Sequence, residues 1–146
     1  MNGLPVEIRL AESGDAHSIA ELSAQWGYDS PYEKIKSLLD KILHHKDHVV
    51  FVLFHENRMA GWIHGIYSLR VESDPFVEIG GLVVDRHFRR LGFGKLLVNK
   101  TVDWCLHRNC HSIRVRCNII RTEANAFYSM IGFKEIKQQK IYDMKV

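Results

Sequence analysis

One stretch constrains this chain more than any other. It runs from Glu78 to Leu97 and reads Glu-Ile-Gly-Gly-Leu-Val-Val-Asp-Arg-His-Phe-Arg-Arg-Leu-Gly-Phe-Gly-Lys-Leu-Leu. Val83 and Val84 end an apolar, β-branched run, whereas Phe93, Leu96, Leu97, Thr101, Trp104 and Cys105 recur at the three- and four-residue spacing of one helical face. The hydrophobic period thus changes from that of a strand to that of a helix. Arg89, Gly92 and Gly94 sit at the changeover, where glycine lets the backbone turn tightly and the first N–H groups of the helix lack intrahelical partners. Such a helix start attracts anions: the macrodipole contributes roughly 0.3 to 1 kcal/mol, and Arg86, Arg89, Arg90 and Lys95 add full charges. A phosphate or pyrophosphate suits this place. The spacing is neither that of a Rossmann fingerprint nor that of a Walker loop, since Gly92-Phe93-Gly94 lacks the third glycine and no Gly-Lys-Ser/Thr follows. A bare strand-to-helix connection, with its arginines solvated, remains the alternative for this segment taken alone.

At 146 residues the chain is expected to be a single domain, 1–146, able to bury its own core. It is 46% hydrophobic and 25% charged, and no apolar run approaches the roughly 20 residues that cross a bilayer, so no membrane partner is expected. Met1-Asn2-Gly3-Leu4-Pro5 shows no basic region followed by an apolar core, and Cys105, Cys110 and Cys117 are odd in number. These features imply reduced thiols and a cytoplasmic location. A net charge of +3 suits a phosphate-bearing ligand, but the basic residues gather at the glycine turn instead of forming a long stripe, so nucleic acid is not expected as a partner. No metal is expected either. His44, His45 and His48 straddle a helix end, and Cys105, His107, Cys110 and His111 lack zinc-finger spacing.

The remaining elements follow from periodicity and turn chemistry. Val6 to Leu10 alternates as a strand, and Ser13-Gly14-Asp15 offers a cap for a helix carrying Ile19, Leu22 and Trp26. Ser30-Pro31-Tyr32-Glu33 reads as a capping box before Ile35, Leu38, Leu39, Ile42 and Leu43. Trp26-Gly27-Tyr28-Asp29, between these helices, is expected chiefly to pack. His48 to Phe54, a turn at Glu56-Asn57-Arg58, and Ala60 to Leu69 form a hairpin, and Phe76 to Val84 is a third strand. Gly80-Gly81 inside it marks a bulge or a close backbone approach. Ser112 to Cys117 is a further strand, Thr122 to Met130 a short helix, and Glu135 to Met144 a terminal pair of strands. The class is α/β (α+β): a mixed, mostly antiparallel sheet of six to seven strands with helices on both faces, the strands at 76–84 and 112–118 running parallel.

Arg89-Arg90-Leu91-Gly92-Phe93-Gly94 resembles the Arg-x-x-Gly-x-Gly pyrophosphate motif of the GNAT superfamily of acyl-CoA N-acyltransferases. A second segment, Arg121-Thr122-Glu123-Ala124-Asn125-Ala126-Phe127-Tyr128-Ser129-Met130-Ile131-Gly132-Phe133, is similar to that family's Arg/Asn-x-x-Ala-x-x-Phe-Tyr-x-x-x-Gly-Phe pattern. The two occur in the family's order, and the element order matches over essentially the whole chain. The resemblance implies a three-layer GNAT-like sandwich, splayed into a V between the strands at 76–84 and 112–118. It also implies acetyl transfer from acetyl-CoA, a co-substrate, to the primary amine of a small molecule. A protein or peptide N-acetyltransferase and a non-catalytic acyl-CoA-binding regulator are the alternatives. A homodimer joined through an edge strand is in keeping with the family.

By the same resemblance, Leu82, Val83 and Val84 line the pantetheine arm with backbone groups, and Arg89, Arg90, Leu91, Gly92, Phe93, Gly94 and Lys95 hold the pyrophosphate. A bulge at Gly80-Gly81 agrees physically, because a strand bent away from its parallel neighbour exposes unpaired backbone groups to an amide-rich ligand. Asn118 and Asn125 are candidates for the cofactor's amides, or else they simply cap their turn. Tyr128 falls where the family's tyrosine approaches the cofactor sulfur, and a phenol, with an ordinary pKa of about 10, is suited to protonating a thiolate. Glu78 stands eleven residues before Arg89, as does the glutamate base of histone-type relatives; the alternatives are that it simply faces solvent or orients a substrate ammonium. Asp29, Glu33, Glu72 and Asp74 would attract a cationic acceptor, with the 26–33 connection, the 69–76 loop and the terminal strands as its walls.

Overall fold

Alternating β-branched and aromatic residues in the first two thirds of the chain build a meander of strands, and the amphipathic segments between them cover it on both sides. The computed structural model describes residues 5–146, in two compact units, one ending at Arg116 and the other spanning Cys117–Val146. The first unit contains β1 (Val6–Leu10), α1 (Ala16–Ala24), α2 (Tyr32–Leu43), β2 (His48–His55), β3 (Arg58–Arg70), β4 (Ser73–Val84), α3 (Phe93–His107) and β5 (Ile113–Val115). Its strands lie in chain order, antiparallel except for the parallel pair β4–β5.

Among the described residues the sheet therefore has five strands, not six to seven. Glu135 to Met144 forms no strand pair: Lys137, Gln138, Gln139 and Lys140 interrupt its apolar alternation. Ile136, Ile141 and Met144 are exposed, and a two-stranded ribbon with an uncovered apolar side is marginal in water. The hairpin between β2 and β3 turns on Glu56 and Asn57, with φ of 53° and 62°, as a two-residue turn of primed type requires. β3 and β4 are joined by Val71-Glu72 alone, so the loop expected at 69–76 is a hairpin tip. The capping box expected at Ser30 does not form. Pro31 stays extended at ψ 146°, α2 begins one residue later, and Ser30 is left outside the reach of the first-turn N–H groups.

Ile19, Leu22 and Leu39 from the first two helices meet Val50, Val52, Met59 and Val83 on one face of the sheet. Leu97, Thr101 and Cys105 of α3 are buried on the other, where Cys105 packs with Val77 and Cys110. Burial of this kind stabilises by about 25 cal/mol per Å² of apolar surface.

The bulge expected in β4 is present. His64 pairs with Gly81 and Gly65 with Ile79, so Gly80 is the extra residue. A Cβ on Gly81 would stand 2.7 Å from the Trp62 ring, so glycine there lets that ring lie across the strand, and one on Gly80 would press on His64 Nδ1 at 3.0 Å. β5 pairs with β4 only from Val77–Ile113 to Ile79–Val115, while β4 continues to Val84. The parallel pair thus ends where the bulge begins.

The second unit holds α4 (Thr122–Met130), the span expected. It closes at Gly132, whose φ is 114°, with Phe133 N donating to Tyr128 O at 2.9 Å.

Candidate active site

The end of β4 is fixed by a buried carboxylate. Asp85, 1% exposed, donates its own N–H to Ala60 O at 2.8 Å and accepts from His87 N at 2.9 Å, His87 Nδ1 at 2.9 Å and Arg58 at 3.3 Å. Burial pushes this carboxyl up, but the N–H and ring of His87, with Gln25, outweigh it and hold the group below its usual range. The single 3₁₀ turn Arg86–Phe88 that follows is capped by the same carboxylate. Arg90 at φ 63° and Gly92 at φ 85° then reverse the chain into α3. Holding Arg90 there costs about 1 to 3 kcal/mol, a strain typical of ligand clamps.

α3 starts at Phe93, and no side chain caps its first-turn N–H groups. Arg86, Arg89, Arg90 and Lys95 are exposed and Leu91 is half-buried in this turn and the first turn of the helix, and Arg86 Nη2 donates to Gln25 O. Trp26 joins them: its Nε1 donates to Val84 O at 3.0 Å, and the Arg89 and Arg86 guanidinium groups lie 5.0 and 5.9 Å from the centre of its ring. Trp26 packs against the core as expected, yet it also ties the 25–28 turn to the end of β4. A lone tryptophan at a helix end gives no sequence sign of that second task. Val83 is buried beneath α1 and α2, so only its backbone can meet a ligand, whereas Leu82 is half-buried.

Glu78 lies on the bulge side of β4, with its side chain 18% exposed. It accepts from Arg116 Nε at 2.9 Å and stands 3.8 Å from Arg70. Arg114 is its register partner on β5. The sequence carried this signal, because alternation that turns Ile113, Val115 and Cys117 to one face turns Arg114 and Arg116 to the other.

Across the bulge, His64 Nε2 is 2.8 Å from His48 Nδ1, and the His45 ring stands edge-on to His48 at 4.5 Å. Burial, and then the nearby His48, press His64 down to about 4, so it is neutral at physiological pH. Among the described residues no group of three or more His, Cys, Asp or Glu side chains is arranged to hold a metal ion. Cys105 and Cys110 are buried free thiols, and burial pushes Cys105 up to about 11, far from the thiolate a nucleophile needs.

In the second unit Asn118 and Asn125 come together. Asn118 Oδ1 accepts from Ile120 N at 3.1 Å, while Asn125 Nδ2 donates to Asn118 O at 3.0 Å and Arg121 O at 2.8 Å. Both hold the turn that starts α4. The Tyr128 ring is braced edge-on by Phe127 and Phe133 at 5.2 and 5.5 Å.

Among protein families, the profile described as "Acetyltransferase (GNAT) family" matches residues 15–133. A curated relative, glucosamine 6-phosphate N-acetyltransferase of Arabidopsis thaliana, is 28% identical over 124 residues, or 80% of this chain and 76% of the relative. Aminoglycoside N-acetyltransferase AAC(6')-Iy, solved in complex with CoA, superposes with a TM-score of 0.87 at 18% identity, covering 97% of this chain and 96% of that one. The apo aminoglycoside 6'-N-acetyltransferase AAC(6')-IG from Acinetobacter haemolyticus gives 0.86 at 14% identity, with coverage of 96% and 99%. At these identities the solved structures bear on the fold. No helix among the described residues is long and apolar enough to cross a membrane.

Proposed function

The chain belongs to the acetyltransferase (GNAT) family, and on that premise we propose that it transfers acetyl from acetyl-CoA to the primary amine of a small molecule by direct attack in a ternary complex. One observation carries this reading: a strand whose parallel partner leaves it at Ile79 leads, through a tight turn that carries Arg86, Arg89 and Arg90, to a helix start with no side-chain cap and Lys95 in its first turn. That is a seat for an extended, amide-rich arm ending in a pyrophosphate.

In this reading the pyrophosphate binds the N–H groups of Gly92 to Lys95 and the side chains of Arg89 and Arg90. The pantetheine arm lies along Leu82 to Val84 like an added strand. The Leu82 N–H meets the thioester oxygen, a contact that strengthens as that oxygen becomes an oxyanion and contributes roughly 3 to 4 kcal/mol in comparable sites. Glu78 takes a proton from the ammonium, the amine nitrogen bonds to the carbonyl carbon, and the carbon–sulfur bond breaks as the Tyr128 hydroxyl protonates the departing thiolate; the second proton shed by the nitrogen restores the Tyr128 phenol, leaving amide and free thiol. Asn118 and Asn125 shape the turn before α4 and offer their remaining amide atoms to the cofactor. The family match spans both compact units, which supports treating 1–146 as one N-acetyltransferase domain. We place it in the cytoplasm, where its free thiols stay reduced.

Calorimetric titration of acetyl-CoA into the wild type and Arg89→Ala, alongside thiol release over a panel of amines headed by amino sugars, tests the reading. The expected result is binding weakened roughly tenfold or more by Arg89→Ala, with turnover of at least one amine. Absence of acetyl-CoA binding to the wild type would overturn it.

A further inference from the structure

The face of β4 that carries Glu78 is crowded with guanidinium groups. Arg114, on β5, and Arg70, at the end of β3, both lie over the ring of Phe76, at 4.0 and 5.1 Å from its centre. Phe76 is 1% exposed, so the ring is a fixed floor that orients both groups. A guanidinium whose central carbon packs over a ring still has N–H donors to offer an anion. Glu78 pairs with Arg116 at 2.9 Å and reaches Arg70 only at 3.8 Å; among the described residues Arg114 has no carboxylate at ion-pair distance. Positive charge is therefore in excess beside the proposed base. Neighbouring strands lie about 4.8 Å apart and alternate residues about 7 Å apart, so Arg70, Arg114 and Glu78 fall within the span of one small metabolite.

We propose that the acceptor is an anionic amine: its amino group is presented to Glu78 while a phosphate or carboxylate on the same molecule is bound by Arg114 and Arg70. This rests on the reading of the Glu78 face as the acceptor side of an acetyltransferase. The same two arginines repel a polycationic acceptor. The acidic residues that would draw one are scattered, with Asp29 in the loop before α2, Glu33 on α2, Glu72 at a hairpin tip and Asp74 at the start of β4.

Matched substrates test the proposal on the full chain. Glucosamine 6-phosphate is compared with glucosamine, and an amino acid with its amide, which separates phosphate from carboxylate as the recognised group. Each pair is run through thiol release and through calorimetry on the CoA-loaded protein. The anionic member of at least one pair should be preferred, and Arg114→Gln should lower its kcat/KM and its affinity roughly ten- to a hundredfold while leaving the neutral partner within about twofold. Arg114→Lys, which keeps the charge, should recover part of the loss, and unchanged acetyl-CoA binding controls for folding. Equal handling of both members of each pair, or preference for a polycationic aminoglycoside over the anionic members, overturns the anionic acceptor. Turnover of no amine at all would overturn the acetyl-transfer reading instead, while the calorimetric comparison would still decide whether Arg114 and Arg70 bind the anion.

Discussion

Asp85 and Glu78 stand toward the two ends of the bulged half of β4, and arginine reaches both, yet they are held in different ways. Asp85 is sealed at 1% exposure, its oxygens consumed by a backbone N–H, an imidazole and a guanidinium, all in service of one turn. Glu78 is less buried, has one close partner, and sits within the three rungs where β5 still pairs with β4. The contrast teaches that a carboxylate's accessible lone pairs, more than the presence of an arginine beside it, separate a structural anion from one that can exchange partners with a substrate.

Substitutions can break or sharpen that contrast. Glu78→Gln should have the largest effect, lowering kcat roughly a hundredfold or more with the melting temperature nearly unchanged. Wild-type kcat with an unaltered pH profile would remove Glu78 from the chemistry. Asp85→Ala should do the reverse, reducing stability in urea by about 2 to 4 kcal/mol through loss of the cap and of charged hydrogen bonds, and weakening acetyl-CoA binding as the turn loosens. His64, across the bulge, adds a pH signature. Its imidazole is held near 4, against an ordinary 6.5, so between those pH values the unfolded chain binds a proton that the native one does not. Stability should fall as pH drops from about 6.5 to about 4, by up to roughly 3 kcal/mol, and His64→Gln should flatten that slope in pH-dependent denaturation. Trp26→Phe should be mildest. It keeps the packing but loses the bond to Val84 O, so acetyl-CoA affinity should fall only a few-fold by calorimetry, with stability lower by about 1 kcal/mol.

Much of the scaffold could be read from the chain because it is locally encoded. The helix at Thr122–Met130, the turn at Glu56-Asn57 and the bulge at Gly80-Gly81 each follow from residue types within a few positions. The glycine turn at Arg89–Lys95 was legible for the same reason. What escaped depends on meetings between distant segments. Trp26 finds Val84 across the fold, Arg114 finds Phe76 only once β5 lies beside β4, and Arg116 finds Glu78 by the same pairing. Ser30 misled because a capping box is a matter of phase, and the extended backbone of Pro31 shifted that phase by one residue. Glu135 to Met144 misled because alternation alone does not supply the neighbour that a strand must pair with.

The two-residue turns of the meander carry a consequence for the order in which the molecule assembles. β2, β3 and β4 meet by closing very short loops, whereas β4 reaches β5 only across the whole of α3, to form three rungs from Val77 to Ile79. Loop-closure entropy thus favours the meander early and the wedge-forming pair late, and the same few rungs are the cheapest to open again in the native state. The end of the β4–β5 pair is then the soft spot of the sheet, and on the proposed reading a thioester that adds its own rungs along Leu82 to Val84 is the last strand to fold.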